Sequence, residues 1–129
     1  MIFDSDVLVW FLRGEPAAIE LVDWTAARVV SIVTLMELQR GAKSKLETKT
    51  TRELFQQRGF RILPLSESIG HIAAGLIEEH SLSCGLGVHD ALIAATARDA
   101  GETLATANVR HFRPIANLDI KPFRPRPSR

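Results

Sequence analysis

The sequence has a single cysteine, Cys84, so it can form neither an intrachain disulfide nor a zinc site built from several thiolates. A reducing, cytoplasmic compartment is the expectation that follows. It also lacks a dominant charge: sixteen Lys and Arg against fifteen Asp and Glu leave a formal net charge of +1. Bulk electrostatics therefore do not mark a nucleic-acid binder, and any RNA affinity must come from local arrangement. Long apolar runs are missing as well. The longest, Val7 to Leu12, is far too short to span a bilayer, so no membrane partner is expected. No basic stretch precedes the first apolar residues, so no secretory leader is expected. Internal repeats and low-complexity blocks are absent.

What remains is 129 residues, 46% hydrophobic and 24% charged, the length and composition of one globular domain with a proper core. Short apolar segments alternate with helical patterns. Strands are expected at Met1–Phe3, Val29–Ile32, Arg61–Leu63, Thr103–Thr106 and about Asp119–Lys121. Pro16 suits the first turn of a helix running to about Ala27. Ser44 and Glu47 have the spacing of a capping box, with Gly59 as a stop. After Ser66, the residues Ile69, Ile72, Ala73, Leu76 and Ile77 follow helical periodicity. Asp90 opens an alanine-rich helix that Gly101 ends. Strands separated by helices imply parallel crossovers, hence an α/β fold: a three-layer α/β/α sandwich around a central parallel sheet of four to five strands. This domain is expected to span 1–123. Lys121 to Arg129, with Pro122, Pro125 and Pro127 among four basic residues, is expected to hold no regular element, and 124–129 to be a flexible basic tail.

In open parallel sheets, ligands bind beyond the carboxyl ends of the strands. Asp4 ends the first strand and Asp6 lies two residues on. Glu37 follows the second strand, Asp90 starts the alanine-rich helix, and Asn108 lies two residues beyond the fourth strand. Converging carboxylates repel one another, so a cation is needed among them. Oxygen donors without Cys or paired His favour Mg²⁺ or Mn²⁺ over zinc. Each residue also has a local explanation. Asp4 and Asp6 could cap the first helix, and Asn108 a short turn through His111 and Phe112. Thr34 and Glu37 have capping-box spacing, and Asp90 complements a helix dipole. His71 reads as structural or solvated and His80 as solvated near the end of its helix, while His89 and His111 lie next to site residues and could touch a substrate phosphate. Trp10 and Trp24 read as core, with a shared apolar groove for a dimer mate or partner segment as the rival. Lys43, Lys45 and Lys49 read as solvated.

The segments Met1–Leu12 (MIFDSDVLVWFL), Ser31–Leu38 (SIVTLMEL), Asp90–Ala97 (DALIAATA) and Leu104–Phe112 (LATANVRHF) resemble, in order and spacing, the PIN-domain family, specifically VapC-type toxins of toxin–antitoxin pairs. The resemblance runs to about Phe123. It implies a Mg²⁺- or Mn²⁺-dependent endoribonuclease that leaves a 5′-phosphate and a 3′-hydroxyl, a homodimer, and a cognate antitoxin partner. By the same match, Asp4, Glu37 and Asp90 are the first three acidic positions and the metal ligands. Asn108 falls where many members carry a fourth acid. Thr106 matches the hydroxyl two residues earlier, and Ser31 is a supporting residue. Asp6 stands where the family often has Asn, and is expected to act in the outer sphere or to hold a water. Arg40 and Arg110 are candidates for RNA phosphate contacts, and the basic tail reads as either an RNA aid or a solubilising end.

Three other readings compete. Phe3-Asp4-Ser5-Asp6-Val7 looks like the opening of a haloacid-dehalogenase-type phosphatase, but the later lysine and acidic pair of that fold are wanting, with Asp119 standing alone. A PIN-like scaffold with Asn108 in the last position could bind RNA or protein without cutting. A receiver domain is disfavoured because Leu63-Pro64 stands where its aspartate would be.

Overall fold

The computed structural model describes residues 1–126. Five strands, β1 (Ile2–Phe3), β2 (Val29–Ser31), β3 (Arg61–Leu63), β4 (Leu104–Thr106) and β5 (Ile120–Pro122), pair in parallel in the order β3-β2-β1-β4-β5. Helices α1 (Ser5–Leu12) and α2 (Pro16–Trp24) join β1 to β2, and α3 (Ile32–Arg40) and α4 (Lys45–Gln57) join β2 to β3. The hairpin of α5 (Glu67–Cys84) and α6 (Val88–Ala100) returns the chain across the sheet to β4, and α7 (Val109–Phe112) precedes β5. The expected α/β/α sandwich is the fold observed.

Successive strand residues point to opposite faces, and this alternation builds the two cores. Ile2, Val29 and Leu104 meet Ile69, Ala73 and Leu76 of α5 and Ile93, Ala94 and Ala97 of α6. Phe3, Val30 and Ala105 meet Val7, Leu8 and Phe11 of α1, Ala18 and Val22 of α2, and Phe55 of α4. Alanines 91, 94, 95 and 97 are all buried, which lets α6 lie close to the sheet. On the other face the rings of Phe3 and Phe55 lie 5.7 and 4.9 Å from that of Phe60. Helix α3 sends Val33 into one core and Leu35 into the other, so it bridges the layers at the end of β2.

Several boundaries differ from expectation, each for a local reason. Helix α2 stops at Trp24, where the Arg28 Nε donates to the carbonyls of Val22 and Thr25 in place of a further helical turn. Helix α6 begins at Val88, before Asp90, with no side-chain cap at Gly87. Ser44 Oγ accepts from Glu47 N–H, but Glu47 reaches back one residue further, accepting from Lys43 N–H. Thr34 is no cap. Ser31 ends β2 and its Oγ accepts from Val33 N–H, which leaves Thr34 buried inside α3.

His80 is buried, not solvated, because it continues the Ile69-Ala73-Leu76 face of α5. Trp24 is not core: it is 83% exposed, the core position in that turn being taken by Val22. Lys121 and Pro122 do belong to a regular element. As the edge strand, β5 tolerates a residue with no N–H, and Phe123 N–H continues the ladder to Thr106 O at 2.9 Å. Of the expected tail, Arg126 is tied to α2, its N–H donating to Glu15 and its guanidinium pairing with Glu20. Pro127, Ser128 and Arg129 lie outside the described residues.

Candidate active site

The chain leaves β1 towards β2 and β3 on one side and later returns to β4 and β5 on the other. That reversal opens a crevice at the carboxyl ends of β1 and β4, the usual ligand position in open parallel sheets. Asp4 follows β1 directly. Its N–H completes the ladder to Ala105 O at 2.9 Å, and its side chain turns to cap α1, Oδ1 accepting from Ser5 N–H at 2.8 Å. The local cap reading of Asp4 therefore holds, but it uses one oxygen only. Oδ2 accepts from the Thr106 hydroxyl at 2.8 Å, from the end of β4.

Asp6 sits beside it in the first turn of α1. Its Oδ1 accepts from Val7 N–H at 2.7 Å and its Oδ2 from Ala107 N–H at 3.0 Å. Every donor to Asp4 and Asp6 among the described residues is a neutral N–H or O–H; none is a cation. Burial raises the Asp4 pKa to about 6, and the charges of Asp6 and then Asp90 add to the rise, against the lowering hydrogen bonds from Thr106 and Ser5. Asp6 is also raised, chiefly by burial.

The other acids have histidine partners. His111 Nδ1 stands 3.3 Å from Asp90 Oδ2. His89 Nε2 stands 3.1 Å from Glu37 Oε2, though out of line for a hydrogen bond. Asn108 heads α7 without capping it. Its N–H donates to Thr106 Oγ1 at 3.0 Å and its side-chain amide lies 3.0 Å from His111 Nδ1. One network thus joins Asp6, Thr106, Asp4, Asn108, His111 and Asp90.

Glu37 stands apart from this network. It shares with Ser5, Asp6, Val9, Leu38 and Arg40 a groove of about 460 Å³ between α1 and α3. Ser31 is buried and serves as the α3 cap, while Arg110 is exposed on α7. Adjacency in sequence put His89 and His111 near the site as phosphate contacts; the structure sets both against carboxylates. The bond from Ala107 N–H to Asp6 had no signal in the sequence, since it depends on β1 and β4 being neighbours.

Hard oxygen donors with uncompensated charge suit Mg²⁺ or Mn²⁺. Among the described residues, however, no three Asp, Glu, His or Cys side chains converge closely enough to enclose an ion. Joint ligation by Asp4, Glu37 and Asp90 requires these side chains to draw closer together.

Comparison with known families decides what this crevice belongs to: residues 1–118 match the PIN domain model. The chain belongs to the PIN domain family. It is 36% identical over 119 residues to ribonuclease VapC10 of Mycobacterium tuberculosis, covering 87% of this chain and 85% of that protein. Among solved structures, this PIN domain superposes on a toxin–antitoxin complex from Klebsiella pneumoniae with a TM-score of 0.77 and 28% identity, over 91% of this chain and 93% of the other. It superposes on VapBC2 from Rickettsia felis, bound to a DNA fragment from their promoter, with a TM-score of 0.78 and 26% identity, over 96% and 100%. Membership of the PIN family displaces the phosphatase and receiver readings.

Proposed function

We propose that this PIN domain is a divalent-metal-dependent endoribonuclease, the toxin of a type II toxin–antitoxin pair. The observation that carries the reading is Asp4: a carboxylate only 5% exposed, at the reversal of the strand order, with acidic neighbours and no cationic partner among the described residues. Such a group costs free energy when ionised unless a cation is supplied. The ribonuclease name of its relative and the toxin–antitoxin complex among its structural neighbours support the same reading.

In this reading Asp4, Asp90 and Glu37 would hold Mg²⁺ or Mn²⁺. When bound, the ion supplies Lewis acidity at the phosphodiester and offsets charge in the in-line transition state. The chain's own groups do the rest. Thr106 fixes Asp4 Oδ2, and Ala107 N–H fixes Asp6. Asp6 and Asn108 serve as water-positioning groups, Asn108 in place of a fourth acid. Arg40, on the rim of the groove beside Asp6 and Glu37, meets the RNA backbone, with Arg110 as a second contact.

A cognate antitoxin is the expected protein partner. From Glu37 and Leu38 the groove continues past Leu12 to Leu46 and Leu54, which gives an apolar segment a bed that ends at the acidic residues. Two copies forming a homodimer, acting in the cytoplasm, complete the reading. No described helix is long and apolar enough to cross a membrane.

The test is RNA cleavage with Mg²⁺ or Mn²⁺ and with EDTA. Metal-dependent cleavage that disappears in Asp4→Asn and Asp90→Asn supports the reading. The open arrangement of the acids favours a second reading, a scaffold that binds RNA or protein without cutting. Retained RNA binding with no cleavage under any divalent ion would establish it.

A further inference from the structure

Asn108 was expected to cap a short turn, and its side chain makes no capping bond. Its amide lies 3.0 Å from His111 Nδ1, and the same ring nitrogen stands 3.3 Å from Asp90 Oδ2. An imidazole nitrogen carries a hydrogen or a lone pair, never both, and an ionised carboxylate only accepts. Favourable contact with Asp90 therefore puts the hydrogen on Nδ1. The Asn108 amide then presents Oδ1 to the ring, a half-turn that leaves its outline unchanged. Asn108 is itself anchored, because its N–H donates to Thr106 Oγ1, whose hydroxyl donates to Asp4. A chain of polar contacts thus runs from α6 through α7 to the end of β1.

We propose that His111 is a positioning residue that aims the Asp90 carboxylate, and that Asn108 holds the ring in place. The proposal rests on the reading of Asp90 as a divalent-cation ligand. With Oδ2 held by Nδ1–H, the carboxylate meets an ion in one orientation rather than several. Groups that orient a ligand in this way are worth on the order of 10- to 100-fold in metal affinity. Hydrogen-bonded orientation thereby stands in for the charge that Asn108 does not bring. The His111 side chain is 43% exposed, so its removal takes little from the core.

The experiment is a Mn²⁺ titration of the full chain by calorimetry or electron paramagnetic resonance, with melting temperatures taken in EDTA. An Asn at 111 keeps an N–H near the place of Nδ1, whereas a Gln puts its amide near the place of Nε2. His111→Ala and His111→Gln are expected to weaken Mn²⁺ binding by about tenfold or more. His111→Asn is expected to stay near wild type, and the EDTA melting temperatures to remain close together. If His111→Ala binds like wild type while Asp90→Asn does not bind, the positioning role is overturned and the metal reading stands. If wild type fails to bind, or Asp90→Asn binds equally well, both fall. Equal weakening in all three His111 variants, with lower melting temperatures in EDTA, makes His111 a packing residue and overturns the proposal.

Discussion

Thr106 donates its hydroxyl hydrogen to Asp4 Oδ2 at 2.8 Å, a bond between residues 102 positions apart. Both sit at the carboxyl ends of neighbouring strands, and Thr106 is fully buried. The bond favours the ionised form of Asp4. Thr106→Val is therefore expected to raise the Asp4 pKa further and to cost about 1–3 kcal/mol, the penalty for leaving a buried acceptor short of a donor. Thr106→Ser keeps the hydroxyl and should restore both. Carbon-13 NMR of the Asp4 carboxyl and denaturant melts read the two effects; an unmoved pKa in Thr106→Val refutes the assignment.

Asp4 also gives stability a pH dependence in the absence of metal. Its folded pKa of about 6 lies above the ordinary value of 3.8, so the folded state holds the proton more tightly. The resulting stabilisation is full below about pH 4 and lost as pH rises through about 6. Asn cannot ionise and still caps the helix. In EDTA, Asp4→Asn should gain on wild type by on the order of 2–3 kcal/mol between pH 4 and pH 7. With Mg²⁺ present the ionised form is the one that binds, so wild-type metal affinity should climb through the same window. Parallel urea melts that keep a constant difference across this range would contradict the shift.

Glu37→Gln separates chemistry from folding. Because Ser31 caps α3, the Glu37 side chain carries no capping bond, and its carboxylate is 43% exposed. The EDTA stability of Glu37→Gln should stay within about 0.5 kcal/mol of wild type. Metal-dependent RNA cleavage should fall at least tenfold. Unchanged cleavage would remove Glu37 from the site.

Asn108→Asp adds a carboxylate that can accept from His111 Nδ1–H beside Asp90. Mn²⁺ affinity is expected to rise severalfold, at some cost to stability in EDTA from the added repulsion. Calorimetry that shows neither change would mean that position 108 does not face the ion.

Phe55 tests the second core. It is fully buried against Phe60, so Phe55→Ala should destabilise by about 3–5 kcal/mol. Trp24→Ala, by contrast, should stay within about 0.5 kcal/mol, as its ring is largely in solvent. Chemical denaturation of the pair checks both.

The order of strands and helices was legible because each short apolar segment is bounded by a residue with a structural job: Pro16, Ser44, Ser66, Gly101. Choosing between equivalent signals was not. Ser31 and Thr34 are both good caps, and the pairing of Ser31 with Leu63 across the sheet decides where β2 stops. His80 was readable from its spacing to Ile69, Ala73 and Leu76, since period outranks polarity on that face. The candidate acids could be named from sequence, and five of the site residues singled out, Asp4, Asp6, Asp90, Thr106 and Asn108, fall in one network with His111. Which partner each would take could not be named. The bonds from Thr106 and Ala107 to the aspartates exist only once β1 and β4 lie side by side.

The shortness of β1 has its own consequence. Two residues long and flanked by β2 and β4, it lies at the centre of the sheet, and the Asp4 amide is locked to Ala105 in the same ladder. Fraying of the outer strands leaves that amide untouched. Its hydrogen exchange should therefore proceed only through whole-molecule unfolding, while the amides of β3 and β5 exchange through smaller openings. The residue placed to do chemistry is then among the slowest parts of the chain to loosen, and any adaptability towards a substrate has to come from the groove walls around it.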